Sequence, residues 1–212
     1  MFDDFGSFIT GMIAGLPGII IAMVVHEYAH ARVAVALGDF TPRLAGRLTL
    51  NPMAHIDPLG LLMLFLVRFG WAKPVQINPY NFSNPKRDDI LVSLAGPGAN
   101  LITAFLALMV MVLLLKFDFP MTEGVRMVFS LIMIYNINFA IFNMLPLPPL
   151  DGSHILKQLL PYELARQYAV LERYSFLILI VIVMVPGILS AIFIPLQRLI
   201  LGIFQMIVGL IL

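Results

Sequence analysis

Five residues in the chain have the types and spacing to do chemistry together: His26-Glu27-Tyr28-Ala29-His30. On a helix, each residue advances about 100°, so the two histidines lie one turn apart on one face. Both imidazoles can then reach a single zinc ion, and Glu27 borders the same face, where it can take a proton from an activated water. The surrounding residues, from Ile19 to Val25 and from Val33 to Leu37, are almost entirely apolar. Ionisable groups in a membrane helix cost about 2.5–3.5 kcal/mol each on insertion scales, so they are retained there for function. A buried histidine pair that merely fixes helix packing is the bland reading. It leaves Glu27 without a counter-charge, because Arg32 stands five residues away near the helix end.

A catalytic zinc needs three protein ligands and one open position. The chain has no cysteine, so every ligand must offer nitrogen or oxygen. The extended pattern H-E-x-x-H-x-x-G-x-x-H is absent, with Val33 standing where glycine would be. The other histidines are His55 and His154, and the other glutamates are Glu123, Glu163 and Glu172. Asp151 is the better candidate. It ends the run Asn143-Met-Leu-Pro-Leu-Pro-Pro-Leu-Asp151-Gly152, whose prolines stop a helix at a membrane boundary and let a carboxylate turn inward. His55 has two readings, a cap for the turn among Asn51, Pro52, Asp57 and Pro58, or a gate or auxiliary ligand; the turn or gating role is preferred. Asn100, in the stretch Ala95-Gly-Pro-Gly-Ala-Asn100, reads as a helix-packing residue, and His154 as a helix-start or interfacial one.

The elements that position these groups are membrane elements. Of the 212 residues, 60% are hydrophobic and 12% charged, whereas a soluble domain carries about 25% charged residues. The fold class expected is an all-α polytopic membrane protein in one domain, 1–212. It should have five or six transmembrane helices and re-entrant segments. The first helix is expected over residues 8–37 with a kink at Pro17-Gly18, and it lacks the basic flank and cleavage site of a signal peptide, so it should be retained. Residues 59–69 are apolar but only about 17 Å long as a helix, too short to span, and are read as re-entrant. Residues 90–115 should form a helix distorted at its start by Pro97, and 125–145 another. Residues 153–173 are more polar, and the apolar runs 174–185 and 188–212 are divided by Pro186-Gly187. With the first helix exiting to the cytoplasm, Lys116, Arg126 and Arg198 face outward and the other ten of the 13 basic residues lie inside, as the positive-inside rule asks. Net charge is +1 with no basic tail, which argues against nucleic-acid binding.

The chain resembles the site-2 protease family of intramembrane zinc metalloproteases, in its short form without PDZ or CBS domains. HEYAH resembles the family's zinc motif, NMLPLPPLDG its N-x-x-P-x-P-x-L-D-G signature, and NPMAHIDPLG, GWAKPVQINP and SLAGPGAN further segments in the same order, covering residues 25–156. Leu61 departs from the threonine frequent at its position. By that resemblance His26, His30 and Asp151 are the ligands of one Zn2+, Glu27 is the general base, and Asn143 positions substrate or stabilises the oxyanion. The resemblance also implies strands or a hairpin over residues 43–50 and 71–77, dipping into the membrane. The expected activity is hydrolysis of peptide bonds in or beside transmembrane segments of membrane proteins. The expected setting is the plasma membrane, with the active site nearer the cytoplasmic side and about 10–15 Å below the end of the first helix. Regulation would come from a membrane partner, a second copy or the unwinding of the substrate. The rival readings are a metal-ion transporter, which should repeat its ligands along a path, and a non-catalytic membrane adaptor.

Overall fold

Apolar runs of this length can satisfy their backbone in lipid only as helices, and helices are what form. The computed structural model describes residues 2–67 and 70–211. Helix α1 spans Phe2–Ala36 and passes through Pro17 unbroken. It ends where Gly38 takes a positive φ of 105° and the Asp39 N–H reaches back to the Ala34 carbonyl at 2.9 Å. A polar connection follows, holding the short helices α2 (Thr41–Leu44) and α3 (Pro58–Val67) and 3-10 turns at Pro52–Ala54 and Pro79–Asn81. Helix α4 (Pro85–Lys116) starts with Pro85 in its first turn and the Asn84 side chain accepting from the Arg87 N–H. Helix α5 (Glu123–Asn143) is capped by Thr122, whose hydroxyl accepts from the Val125 N–H. The chain closes with α6 (Asp151–Leu159), α7 (Tyr162–Glu172), α8 (Ser175–Met184) and α9 (Ile188–Ile211).

Helices α1, α4 and α5 pack on one another, α6 lies on α4, and α9 lies on α5. Small buried residues on each partner, Ala22, Ala31 and Ala34 on α1, Ala104 and Ala107 on α4 and Ala140 on α5, let the backbones approach. Ala104, Leu108, Ile137, Ile141, Phe204 and Val208 form the apolar cluster that seats α9 against α4 and α5.

Among the described residues, four segments are long and apolar enough to cross a membrane: Ile13–Ala36, Pro85–Lys116, Glu123–Asn143 and Ile188–Ile211. A fifth arises only if Tyr162–Glu172 and Leu177–Met184, bent by 70°, count as one broken span. The chain is therefore an all-α, multi-pass membrane protein with four or five candidate spans, where five or six were expected. Helix α3, ten residues and about 15 Å long, is too short to cross, as the re-entrant reading requires; Arg68 and Phe69, the end of that expected segment, lie outside the described residues. Helix α4 runs continuously through Pro97, so the distortion expected there is absent. The buried face of Gly96, Pro97 and Asn100 is packed by neighbours that support it.

The strands expected over 43–50 and 71–77 do not form among the described residues. Gly46 adopts a φ of 69° and the Arg47 N–H closes a turn on the Pro42 carbonyl at 2.8 Å, so the first segment spends its backbone groups locally. The second pairs only through an isolated antiparallel bridge, Ile56 to Ala72, beside a Lys73 N–H to His55 carbonyl bond of 2.8 Å. Arg198 stands within α9, inside the apolar run expected over 188–212.

Candidate metal centre

One turn of α1 separates His26 from His30, and both side chains point into the contact with α4. They are 3% and 6% exposed, and their Nε2 atoms stand 2.9 Å apart. The Asp151 Oδ2 lies 3.2 Å from one and 3.3 Å from the other. His26, His30 and Asp151 are thus brought together by α1 and the first residue of α6.

What lies behind each ring decides where its hydrogen is. The His30 Nδ1 sits 2.8 Å from the Val92 carbonyl. A carbonyl only accepts, so Nδ1–H donates and the neutral ring leaves Nε2 as a bare electron pair. The His26 Nδ1 lies 2.8 Å from the Asn100 Oδ1. The orientation of that amide is set by its other end, whose Nδ2 donates to the Ala22 carbonyl at 2.8 Å and to the Asn136 Oδ1 at 3.0 Å. Asn136 is oriented in turn, because its Nδ2 donates to the Ile132 carbonyl at 2.8 Å. Asn100 and Asn136 are both fully buried. The hydrogen therefore belongs on the His26 Nδ1, and its Nε2 is bare as well.

Two imidazole electron pairs and a carboxylate oxygen then converge with no hydrogen between them, and the buried Asp151 Oδ2 has no hydrogen-bond donor. Such a cluster is repulsive unless a cation joins it. Two histidine nitrogens and one carboxylate oxygen form a donor set that suits zinc with an open fourth position.

Glycine makes the convergence sterically achievable at two points. A Cβ on Gly96 would stand 2.5 Å from the His30 Nε2 and 2.6 Å from the His26 Cε1, so α4 reaches the rings only without a side chain there. A Cβ on Gly152 would stand 2.3 Å from the Met144 carbonyl oxygen, so the tight path from α5 into α6 needs Gly after Asp151.

The other expected site residues are placed differently. The Glu27 carboxylate is buried and accepts the Val75 N–H at 2.9 Å, tying it to the irregular stretch before α4. The Asn143 Nδ2 donates to the Phe139 carbonyl at 2.9 Å, one turn back along α5. Phe139 itself meets the His26 ring edge-on, with centroids 4.9 Å apart, so Asn143 shares the α5 face that adjoins the centre while bonding to its own helix. His55 is fully buried, its Nε2–H donates to the Thr49 carbonyl at 2.8 Å, and it is not among the three converging ligands. His154 pairs with Asp89 across 3.7 Å, which raises its pKa. A cavity of about 300 Å³ beside the Asp151 turn, bounded by Pro148, Pro149, Ser153, His154, Lys157 and Glu172, contains none of the converging ligands.

Sequence reasoning missed Gly96, Asn136, the Val92 carbonyl and the Val75 N–H. It read Asn100 as packing alone, although Asn100 also bonds a ligand. The concentration of Gly, Pro and Asn in Ala95-Gly-Pro-Gly-Ala-Asn100 was the available signal, since small residues inside a membrane helix mark close backbone approach.

The model of peptidase family M50 matches residues 119–186, a stretch holding Asn143 and Asp151 but not the two histidines. The Bacillus subtilis (strain 168) protein YwhC, which bears the name of a zinc metalloprotease, is 38% identical over 172 residues, 79% of this chain and 78% of its own length. The chain belongs to peptidase family M50. The Rip2 proteins of Mycolicibacterium smegmatis and Mycobacterium tuberculosis (strain H37Rv), named in the same way, are 30% and 32% identical. They align with 85% and 81% of this chain, and with 70% and 66% of their own lengths. No solved structure matches the chain. With its membrane-spanning helices, this M50 peptidase is an intramembrane zinc metalloprotease acting on membrane proteins, and the transporter and adaptor readings are not favoured.

Proposed function

We propose that this M50 peptidase holds zinc on the Nε2 atoms of His26 and His30 and on the Asp151 carboxylate, with Glu27 as its general base. The observation that carries the assignment is the convergence of two imidazole electron pairs, each bared by a partner behind its ring, with the Asp151 carboxylate. When bound, zinc acidifies water and polarises a carbonyl. Glu27 takes the proton of the attacking water as its oxygen bonds to the scissile carbonyl carbon. Glu27 then passes that proton to the amide nitrogen as the C–N bond breaks. The Val75 N–H holds Glu27 in place while leaving its second carboxylate oxygen for that exchange. Asn143 serves the oxyanion by turning its amide away from the Phe139 carbonyl, which is a rotation about its own side chain.

The substrate is a transmembrane segment that must unwind, because a helix hides its peptide bonds. Its freed backbone groups need partners that lipid does not provide. The irregular stretch 71–78, already adjoining Glu27, is placed to hold it extended. Residues 1–212 act as a single membrane domain in the plasma membrane. The site opens toward the cytoplasmic face, where most basic residues lie, and His30 is about 9 Å from the end of α1 at Ala36.

The test is zinc content and cleavage of a model transmembrane substrate, measured on the detergent-purified protein. Glu27→Gln should keep one zinc per chain and lose cleavage. Asp151→Ala should lose both. Normal zinc in Asp151→Ala would move the third ligand elsewhere, with His55 the next candidate.

A further inference from the structure

Helix α9 carries a charge that nothing around it answers. Its register is fixed by two contacts: Gln197 donates to the Asn138 side chain, and the Phe204 ring packs on Phe105 with centroids 5.2 Å apart. Asn138 precedes Phe139, the residue whose ring meets His26, so this part of α9 lies at the depth of the metal centre. Arg198 follows Gln197 directly. It stands ten residues from Ile188 and thirteen from Ile211, about 15 Å and 20 Å from the two ends of the helix. Both distances exceed the reach of an arginine side chain, so snorkelling to either interface is closed to it. Its side chain is exposed and makes no hydrogen bond or ion pair among the described residues.

Such a position is costly in lipid and calls for a counter-charge. The acids of the chain's own spans do not provide one at that depth. Glu27 is bonded to Val75, Asp88 to Arg87, Asp89 to Gln158 and Glu172 to Lys157, Asp151 meets His26 and His30, and Glu123 and Glu163 lie in the first turns of α5 and α7. A second copy brings the same set, so it leaves Arg198 unanswered too. The exposed face around Arg198 is otherwise built for close approach. Ala191, Pro195, Arg198, Gly202, Gln205 and Gly209 are all exposed and recur every three or four residues, and a Cβ on Gly202 or Gly209 would meet nothing within 4 Å. Small residues at this spacing admit a neighbouring helix, and Gln205 lies two turns along from Arg198 on the same face.

We infer that this face of α9 docks a transmembrane helix of another protein that carries an aspartate or glutamate near its middle, paired with Arg198. The docking face is on α9, whereas the proposed catalytic groups are on α1, α5 and α6, so the partner is a recruiting or regulatory subunit.

The experiment uses the full chain in phosphatidylcholine vesicles with fluorescent 24-residue Leu/Ala helices bearing one central Glu, Gln or Lys, and reads energy transfer. The Glu helix should bind the wild type at least about tenfold more tightly than the Gln helix. Arg198→Gln should erase that difference, and Arg198→Glu should reverse it in favour of the Lys helix. Gly202→Ile should weaken the Glu helix. Arg198→Gln should keep wild-type zinc content and cleavage, which separates lost docking from lost folding and from any failure of the zinc assignment. Equal binding of the Glu and Gln helices, a preference that survives Arg198→Gln, or self-association of the wild type through α9 that Arg198→Gln leaves intact would each overturn the proposal.

Discussion

The proposed metal ligands of α1 and the proposed base share one helix but rest on different supports. His26 and His30 are backed by α4 and α5 through buried, fully directed hydrogen bonds: Val92 behind one ring, Asn100 and then Asn136 behind the other. Glu27, next to His26, is held instead by one backbone N–H from the irregular stretch between α3 and α4. Rigid helix packing thus fixes the two imidazoles, while a loop fixes the Glu27 carboxylate. Damage to the first support should remove zinc; damage to the second should spare zinc and slow the chemistry.

The sharpest break on the helical side is Gly96→Ala. Its Cβ would collide with rings that hydrogen bonds prevent from moving aside. Zinc affinity should fall by about 100-fold, at the upper end for ligand-supporting residues, as read by competition with a chelator. Asn100→Leu should weaken zinc by about 10–100-fold and Asn136→Leu by less, since it acts on His26 only through Asn100. Imidazole nitrogen resonances of the zinc-free protein should show His26 losing its fixed Nδ1–H tautomer in Asn100→Leu but not in wild type.

On the loop side, Val75→Pro removes the N–H that holds Glu27. Turnover should drop by about tenfold or more through misplacement of the base, with one zinc per chain retained. Val75→Ala keeps the N–H and should behave as wild type. The smallest effect is expected at Asp39, which ties the end of α1 to the same loop. Its carboxylate accepts from the Thr41 N–H and hydroxyl at 3.0 and 2.6 Å, from the Asn78 N–H at 2.8 Å and from the Asn81 Nδ2 at 2.7 Å. Burial works to raise its pKa, but these bonds outweigh it and leave the group below the usual value. Its stabilisation is therefore full above the unfolded pKa of about 3.9 and is lost as pH falls through the lower folded value. Asp39→Asn should cost about 1–3 kcal/mol at neutral pH, and the gap in thermal midpoint should close in acid.

The convergence of His26, His30 and Asp151 was legible because its signal is local: one helical turn in His26-Glu27-Tyr28-Ala29-His30, and a proline-stopped helix end before Asp151. Support for those ligands was not legible in the same way. Asn100 lies 74 residues from His26 in the chain, and its choice of partner depends on how α4 packs on α1. The Val75 N–H carries no side-chain signal at all. The resemblance implied a strand over residues 43–50, yet the turn at Gly46 closes the backbone there on itself. The fifth expected span depends on α8, only ten residues long, which reaches crossing length only together with α7 across a 70° bend. Arg198 showed the reverse weakness: its charge was visible, but its depth became clear only once Gln197 and Phe204 fixed the register of α9.

The most direct test of the central claim is X-ray absorption at the zinc edge of the purified protein, wild type beside His26→Ala and Asp151→Ala. One zinc per chain with two imidazole ligands and low-mass oxygen donors, losing an imidazole in His26→Ala and losing the metal in Asp151→Ala, is the expected result. Three imidazoles in the wild type, or a zinc environment that Asp151→Ala leaves unchanged, would contradict the assignment and bring His55 into the ligand set.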